Sequence, residues 1–165
     1  MNIPDPIEPQ VGQESVWDYP RPPRLERVEK RIEIDFAGMR IVDAPRCFRV
    51  LETSHPPVYY IAPEFIRPDA LRQAHGTSVC EWKGRADYFD VVANGRTAQR
   101  AAWRYPSPTA SFSAIAGFFA FYAGPMDRCT VGGVIASPQP GGFYGGWVTP
   151  DVVGPFKGEP GSMGW

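Results

Sequence analysis

The sequence predicts an all-β or strongly β-rich domain, built from antiparallel hairpins that form a barrel-like or β-tent-like sheet arrangement with one short helix packed on it. Three observations predict it. A short run of apolar alternation, a glycine turn and a second short run recur three times, which is the signature of a β-hairpin. The runs between them are rich in β-branched and aromatic residues, which suit a pleated, half-buried surface. Helical spacing of apolar residues is clear in one stretch only.

Residues 24–137 read as the core of a single domain spanning 1–165, and residues 1–23 and 138–165 as extensions. Prolines and glycines concentrate in the extensions, so neither is regular helix or central strand. Yet Trp17, Tyr19, Phe143, Tyr144, Trp147, Phe156 and Trp165 give them an aromatic load that disordered tails seldom have. Both are expected to wrap the core.

Within the core, the first hairpin is Ile32, Ile34 and Phe36, turning at Ala37-Gly38 into Met39 to Val42. Strands are expected at Cys47 to Glu52 and Val58 to Ile61, with the corner between them stiffened by Pro56 and Pro57, either of which could follow a cis peptide. A short helical turn is expected after Pro68, since proline suits a first helical position. Another strand is expected from Ser78 to Lys83. The second hairpin runs from Tyr88 to Val92 and turns at Asn94-Gly95. A helix is predicted from about Pro108 to Gly117, where Phe112, Ile115 and Phe119 have 3.6-residue spacing and Thr109 or Ser111 can cap. Phe118 to Tyr122 reads as a strand, and the third hairpin, Cys129 to Val131, turns at Gly132-Gly133. Asn-Gly and Gly-Gly suit such tight turns because these need positive φ.

Composition bounds the function. A chain of 165 residues, 43% of them hydrophobic, can bury one substantial core and is too short for two large domains. Lys and Arg number 17 against 18 Asp and Glu, so no global field attracts nucleic acid or an anionic membrane, and neither is an expected partner. The cluster Arg21, Arg24, Arg27, Lys30 and Arg31 reads as a solvated face rather than a phosphate patch. No apolar run approaches the ~20 residues of a membrane span. The opening from Met1 to Pro6 lacks the basic and apolar regions of a signal peptide, and a cytoplasmic location is expected. Cys47, Cys80 and Cys129 are odd in number and widely spaced, as reduced thiols rather than a disulfide scaffold. His55 and His75 stand alone without zinc spacing, so no metal and no cofactor is expected. The stretch from Gly141 to Gly146 matches neither a phosphate loop nor a dinucleotide fingerprint; its glycines are expected to let the tail lie close to the sheet.

The run Leu51-Glu52-Thr53-Ser54-His55-Pro56-Pro57-Val58-Tyr59-Tyr60-Ile61, followed by Cys80-Glu81-Trp82-Lys83-Gly84 and Ala102-Trp103-Arg104-Tyr105-Pro106, resembles the bacterial family known as domain of unknown function 427. The opening Val16 to Pro23 and the close Gly141 to Trp147 resemble its longer-tailed members. The resemblance implies a compact β-rich domain, with no established reaction and a nucleotidyltransferase label. Two-metal nucleotidyl transfer would need carboxylates sharing Mg²⁺. Glu33 and Asp35 are the acidic pair available, and no Gly-Ser loop precedes them.

The residues singled out for chemistry follow from strand alternation. On an extended strand Glu52 and Ser54 would share one face, with Thr53 and His55 on the other, so Ser54 and His55 would not form a nucleophile and base pair. Glu52 is expected either to hydrogen-bond loop amides at the corner or to serve a site. Further on, Cys80 and Trp82 would share an apolar face and Glu81 and Lys83 an ionic one. Lys83 there is a surface charge or an anion anchor. Cys80 reads as a buried small hydrophobe before a nucleophile. Trp82, Tyr88, Trp103 and Tyr105 could line a pocket, while a core position is the plainer expectation for Trp82 and Trp103.

The leading expectation is a small-molecule site, catalytic or not, in a concave aromatic-lined face that uses Glu52, Ser54, Tyr60, Lys83 and Tyr105 as polar groups. The alternative is an interaction or scaffold module whose terminal extensions dock onto a partner or a second copy, giving a homo-oligomer. Aromatics converging on a cavity favour the first, and aromatics spread over a surface the second. Mg²⁺-dependent transfer at Glu33 and Asp35 is third.

Overall fold

The structure is a computed structural model and describes residues 3–165; Met1 and Asn2, part of the opening discussed above, lie outside them. The strands in chain order are β1 (Glu14–Ser15), β2 (Arg24–Val28), β3 (Ile32–Phe36), β4 (Met39–Ala44), β5 (Cys47–Leu51), β6 (Val58–Tyr60), β7 (Leu71–Cys80), β8 (Gly84–Ala93), β9 (Arg96–Arg104), β10 (Phe119–Phe121), β11 (Arg128–Val131), β12 (Val134–Ile135), β13 (Ser137–Pro138), β14 (Trp147–Val148) and β15 (Val152–Val153). Their sheets are ordered β12-β11-β3-β4, β2-β5-β6 and β10-β9-β8-β7, with two short pairs, β13-β14 and β1-β15. The strongly β-rich, antiparallel fold matches the expectation. Only β1 and β15 pair in parallel among the named strands.

All three predicted hairpins form, and each turns through two residues of positive φ: Ala37 and Gly38 at 53° and 76°, Asn94 and Gly95 at 46° and 75°, Gly132 and Gly133 at 57° and 82°. That is the primed geometry that matches strand twist. In β3 the side chains of Ile32, Ile34 and Phe36 are buried and those of Glu33 and Asp35 are partly exposed.

Three local expectations are corrected. No regular helix forms at 108–117: a 3₁₀ turn spans Ala110–Ile115 and is broken at Phe112, whose φ and ψ are −115° and 16°. The segment is too short to repay helix nucleation, and the Thr109 hydroxyl donates to the Trp82 carbonyl at 2.5 Å instead of capping. A short turn does form at Pro68, closed by Ala70 N–H donating to the Arg67 carbonyl at 3.0 Å, and a separate 3₁₀ turn lies upstream at Pro63–Phe65. The strand expected through Lys83 ends at Cys80, and Glu81 to Lys83 form the turn into β8. The cis peptides precede Pro22 and Pro155, not Pro56 or Pro57.

Nor does a barrel close. Ile61 and Phe119 exchange both backbone hydrogen bonds, at 2.8 and 2.9 Å, and so join β2-β5-β6 to β10-β9-β8-β7 as one curved surface. Its outer strands β2 and β7 each have a single partner among the described strands. β7 is exposed on both faces for most of its length and carries a register break between Gln73 and Thr77, a common way to leave a sheet edge open without inviting pairing.

Period-two alternation then sorts the side chains to two sides of this surface. Tyr59, Ile61, Phe89, Ala102, Phe119 and Phe121 join the larger core beneath the β3-β4-β11 sheet. Their neighbours Tyr60, Trp103 and Ala120, together with Ala86 and Tyr105, form a second cluster on the opposite side. That second side carries the site.

The extensions contact the core and each other. Val16 and Tyr19 pack with Leu51 and Val152, Trp17 Nε1 donates to the Pro155 carbonyl at 2.9 Å, and the buried Trp147 donates to Phe121 at 2.9 Å. Tyr19 Oη donates to Glu14 Oε1 at 2.6 Å, while Arg49 reaches both Glu14 and Glu26. Tyr19→Phe is expected to cost about 1.5–3 kcal/mol, as for a hydrogen bond to a charged group, and an unchanged urea midpoint would contradict this. Among the described residues no helix is long and apolar enough to cross a membrane.

Candidate functional site

On the second side of the curved surface lies a cavity of about 850 Å³. Its floor follows from alternation: Val58 and Tyr60 project from β6, Tyr88 from β8, Trp103 from β9, and Tyr105 and Tyr122 from the residues just beyond β9 and β10. Trp103 and Tyr122 pack at 4.8 Å between ring centroids with a 52° tilt. Tyr60 and Tyr105 lie 6.3 Å apart. Trp103 Nε1 donates to Tyr60 Oη at 3.4 Å, which leaves the phenol its own proton to give elsewhere.

One wall is the β7–β8 hairpin, which contributes Ser78, Cys80 and the turn residues Trp82 and Lys83. Ser78 Oγ and Tyr88 Oη are 2.8 Å apart, and the Arg100 guanidinium lies 4.2 Å over the Tyr88 ring. The opposite wall is the C-terminal extension from Gly142 to Gly145, with Gln139, Lys157 and Trp165. A Cβ at Gly145 would stand 2.1 Å from Trp103 Cη2, and one at Gly146 would stand 2.5 Å from the Pro56 carbonyl oxygen. The tail reaches the sheet because these two residues have no side chain.

Gln139, 2% exposed, fastens that wall. Its Nε2 donates to the Lys157 carbonyl at 2.9 Å and faces His55 Nδ1 at 3.1 Å, and its Oε1 accepts from Gly146 N at 3.0 Å. Since the amide nitrogen can only donate, Nδ1 accepts and the imidazole proton sits on Nε2, which is 3.6 Å from Glu52 Oε2. Burial first, then the positive charges of Arg21, Lys157 and Lys83, bring His55 down to a pKa of about 4. The ring is neutral near pH 7. Tyr144 packs edge-on against it at 4.7 Å.

Of the eight residues singled out from sequence, Glu52, Tyr60, Trp82, Lys83, Tyr88, Trp103 and Tyr105 all line this cavity. Ser54 does not: it is fully buried, its Oγ has no hydrogen-bond partner, and its backbone is held by Val16 and Lys157. The strand ends at Leu51 and Ser54 has a φ of 71°, so alternation stops governing the segment. For the same reason Glu52 and His55 converge instead of diverging. Glu52 pairs with Arg21 at 3.6 Å rather than with loop amides. Trp103 is buried to 7% exposure, so core and cavity are the same place for it. Cys80 is half-buried among these aromatics.

Arg21, read from sequence as part of a solvated face, and His55, expected on the strand face opposite Glu52, also line the cavity, as do Arg100, Tyr122, Gln139 and Lys157, which carried no sequence signal of their own. The Gly-rich stretch did signal the tail's approach.

Elsewhere, a cleft of about 410 Å³ is lined by Glu14, Glu26 and Arg49, where Arg49 is already paired with both carboxylates. Glu33 and Asp35 share β3, but Arg40 bridges both: its Nε donates to Asp35 at 2.5 Å and its Nη1 to Glu33. The guanidinium occupies the place a Mg²⁺ would need, so the pair does not fit a two-metal centre. Among the described residues, no group of three or more His, Cys, Asp or Glu side chains is arranged to hold a metal.

A family model described as a domain of unknown function (DUF427) matches residues 24–132. No curated protein matches the chain.

Proposed function

We propose that this chain, which belongs to the domain of unknown function 427 family, binds a small planar molecule in the aromatic cavity between the curved sheet and its C-terminal extension. The observation that carries this reading is the convergence of Tyr60, Trp82, Tyr88, Trp103, Tyr105 and Tyr122 on one open volume of about 850 Å³. Apolar rings packed against each other close that space in an ordinary core. Rings held around a cavity that also presents convergent polar groups are the usual composition of a ligand site.

Three further considerations bear on the choice. The exposed Val79, Phe143 and Met163 favour, as a second reading, a partner protein docking across the cavity mouth. Nucleotidyl transfer finds no support in a carboxylate pair already satisfied by Arg40. Ser54 is buried away from the cavity that His55 lines, so these two do not act there as nucleophile and base.

The experiment is a thermal-shift screen of the full chain against metabolites and nucleotides, with Val58→Trp as the cavity-filling variant. A true ligand at 100 times its Kd is expected to raise the Tm of the wild type by about 5–10 °C and that of Val58→Trp far less. A library without a single stabilising compound, or equal shifts in the two proteins, would sink the reading.

A further inference from the structure

We infer that the ligand of this cavity bears a carboxylate that seats on Lys83, so that the site selects planar organic monocarboxylates over their neutral analogues. This rests on the small-molecule reading above and names its ligand class.

Lys83 sits in the turn between β7 and β8 and is 8% exposed. It lines the cavity, yet among the described residues none of the ion pairs or hydrogen bonds involves its ammonium. Each other cation on the lining is engaged. Arg21 pairs with Glu52 at 3.6 Å, Arg100 donates to the His75 carbonyl, and Lys157 donates to the carbonyls of Met163 and Trp165 at 2.8 and 3.0 Å.

A buried ammonium without a counter-charge is costly, because desolvation is not returned as Coulomb attraction. The rings of Tyr105 and Phe112 lie 5.7 and 6.0 Å from Lys83 Nζ, near the outer limit of a useful cation–π contact, and offset only part of that cost. Neither side-chain carboxylate on the lining serves: Glu52 is taken by Arg21, and Glu81 is exposed and unpaired with Lys83. The missing negative charge therefore comes from the ligand.

One ammonium beside Tyr105 suits a single charge spread over two oxygens, one oxygen for Nζ and one for the phenol proton. A phosphate dianion is ordinarily met by guanidinium forks or runs of backbone N–H groups, and the Lys83 end of the cavity offers neither. The aromatic floor of Trp103 and Tyr122 supplies faces for a flat ring.

Calorimetry on the full chain tests this with benzoate, nicotinate and indole-3-carboxylate, their matched amides, and phenyl phosphate, against wild type, Lys83→Met and Lys83→Arg. At least one acid is expected to bind ten-fold or more tightly than its amide. Lys83→Met should bring that acid down to the amide's affinity without altering the amide, and Lys83→Arg should keep most of the preference. An amide that matches its acid, a phosphate that exceeds both, or an acid preference surviving in Lys83→Met would overturn the inference. If the thermal-shift screen yields only ligands without a carboxylate, the inference fails while the cavity reading stands. If nothing binds at all, both fail. The acid and amide comparison on the wild type decides the matter even where Lys83→Met does not fold.

Discussion

Gly146→Ala is expected to destabilise the protein by about 3 kcal/mol, the upper part of the range for overpacking, and to lower its Tm by about 6–12 °C. A Cβ at this position meets the Pro56 carbonyl oxygen at 2.5 Å, Gln139 Oε1 at 2.6 Å and Pro56 Cγ at 2.8 Å. Two of the three belong to a proline, which cannot rotate away. Retreat of residue 146 is blocked as well. Its N–H donates to Gln139 Oε1 at 3.0 Å, its carbonyl accepts from Gln139 N at 2.9 Å, and the next residue donates to the Pro57 carbonyl at 2.8 Å. Relief requires breaking some of these, at roughly 1 kcal/mol each, and the tail would then lift from the cavity. Gly124→Ala is the control: its Cβ would meet nothing closer than Pro138 Cβ at 3.9 Å, and a change within about 0.5 kcal/mol is expected. Thermal unfolding of the two variants beside wild type checks the pair, and equal midpoints would show that the tail is not held by this contact.

This dependence on bare backbone explains which parts of the molecule could be read in advance. Hairpins were legible because their information is local: alternation over five residues and a turn that needs positive φ, as at Asn94-Gly95. The aromatic floor was legible for the same reason, since Tyr60, Tyr88 and Trp103 lie on strands whose two faces are fixed by a period of two. Alternation fails where the strand stops. After Leu51 the chain turns, Ser54 takes a φ of 71°, and a residue assigned to the site points into the interior while His55 takes its place beside Glu52. Lys83 was placed on an ionic strand face, and a three-residue turn buried it instead.

The segment near Phe112 shows a different limit. Its apolar spacing is helical and both Phe112 and Ile115 are buried as that spacing implies. But Pro108 and Gly117 bound a stretch of fewer than a dozen residues, below the length at which an α-helix sustains itself, and tertiary contacts shape it into a kinked turn. Arg21, Gln139 and Lys157 mark the third limit. They reach the cavity from extensions distant in sequence, and a single sequence carries no signal for such pairings.

Acid is expected to remove about 3 kcal/mol of stability through His55 as pH falls from 6.5 to 4. The pKa of this ring is lowered from 6.5 to about 4 in the folded protein, so across that window the unfolded chain binds the proton and the folded chain resists it. Stability is therefore full above pH 6.5 and declines progressively on the way down, by 1.36 kcal/mol for each pH unit of the gap. The cause is visible in the packing: a buried ring among Arg21, Lys157 and Lys83, with the Glu52 carboxylate 3.6 Å away. Protonation has a second consequence, because a charged imidazole carries hydrogen on both nitrogens. Nδ1 could no longer accept from Gln139, and the amide that also holds Gly146 and Lys157 would be turned against a donor. The stability lost in acid and the closure of the cavity thus share one hydrogen bond. Urea denaturation of wild type and His55→Asn at several pH values from 7.5 to 4.5 separates this group from all others. The variant is expected to be the less stable near neutrality, and the gap between the two should narrow steadily below pH 6.5. A gap that stays constant with pH would place the acid sensitivity elsewhere.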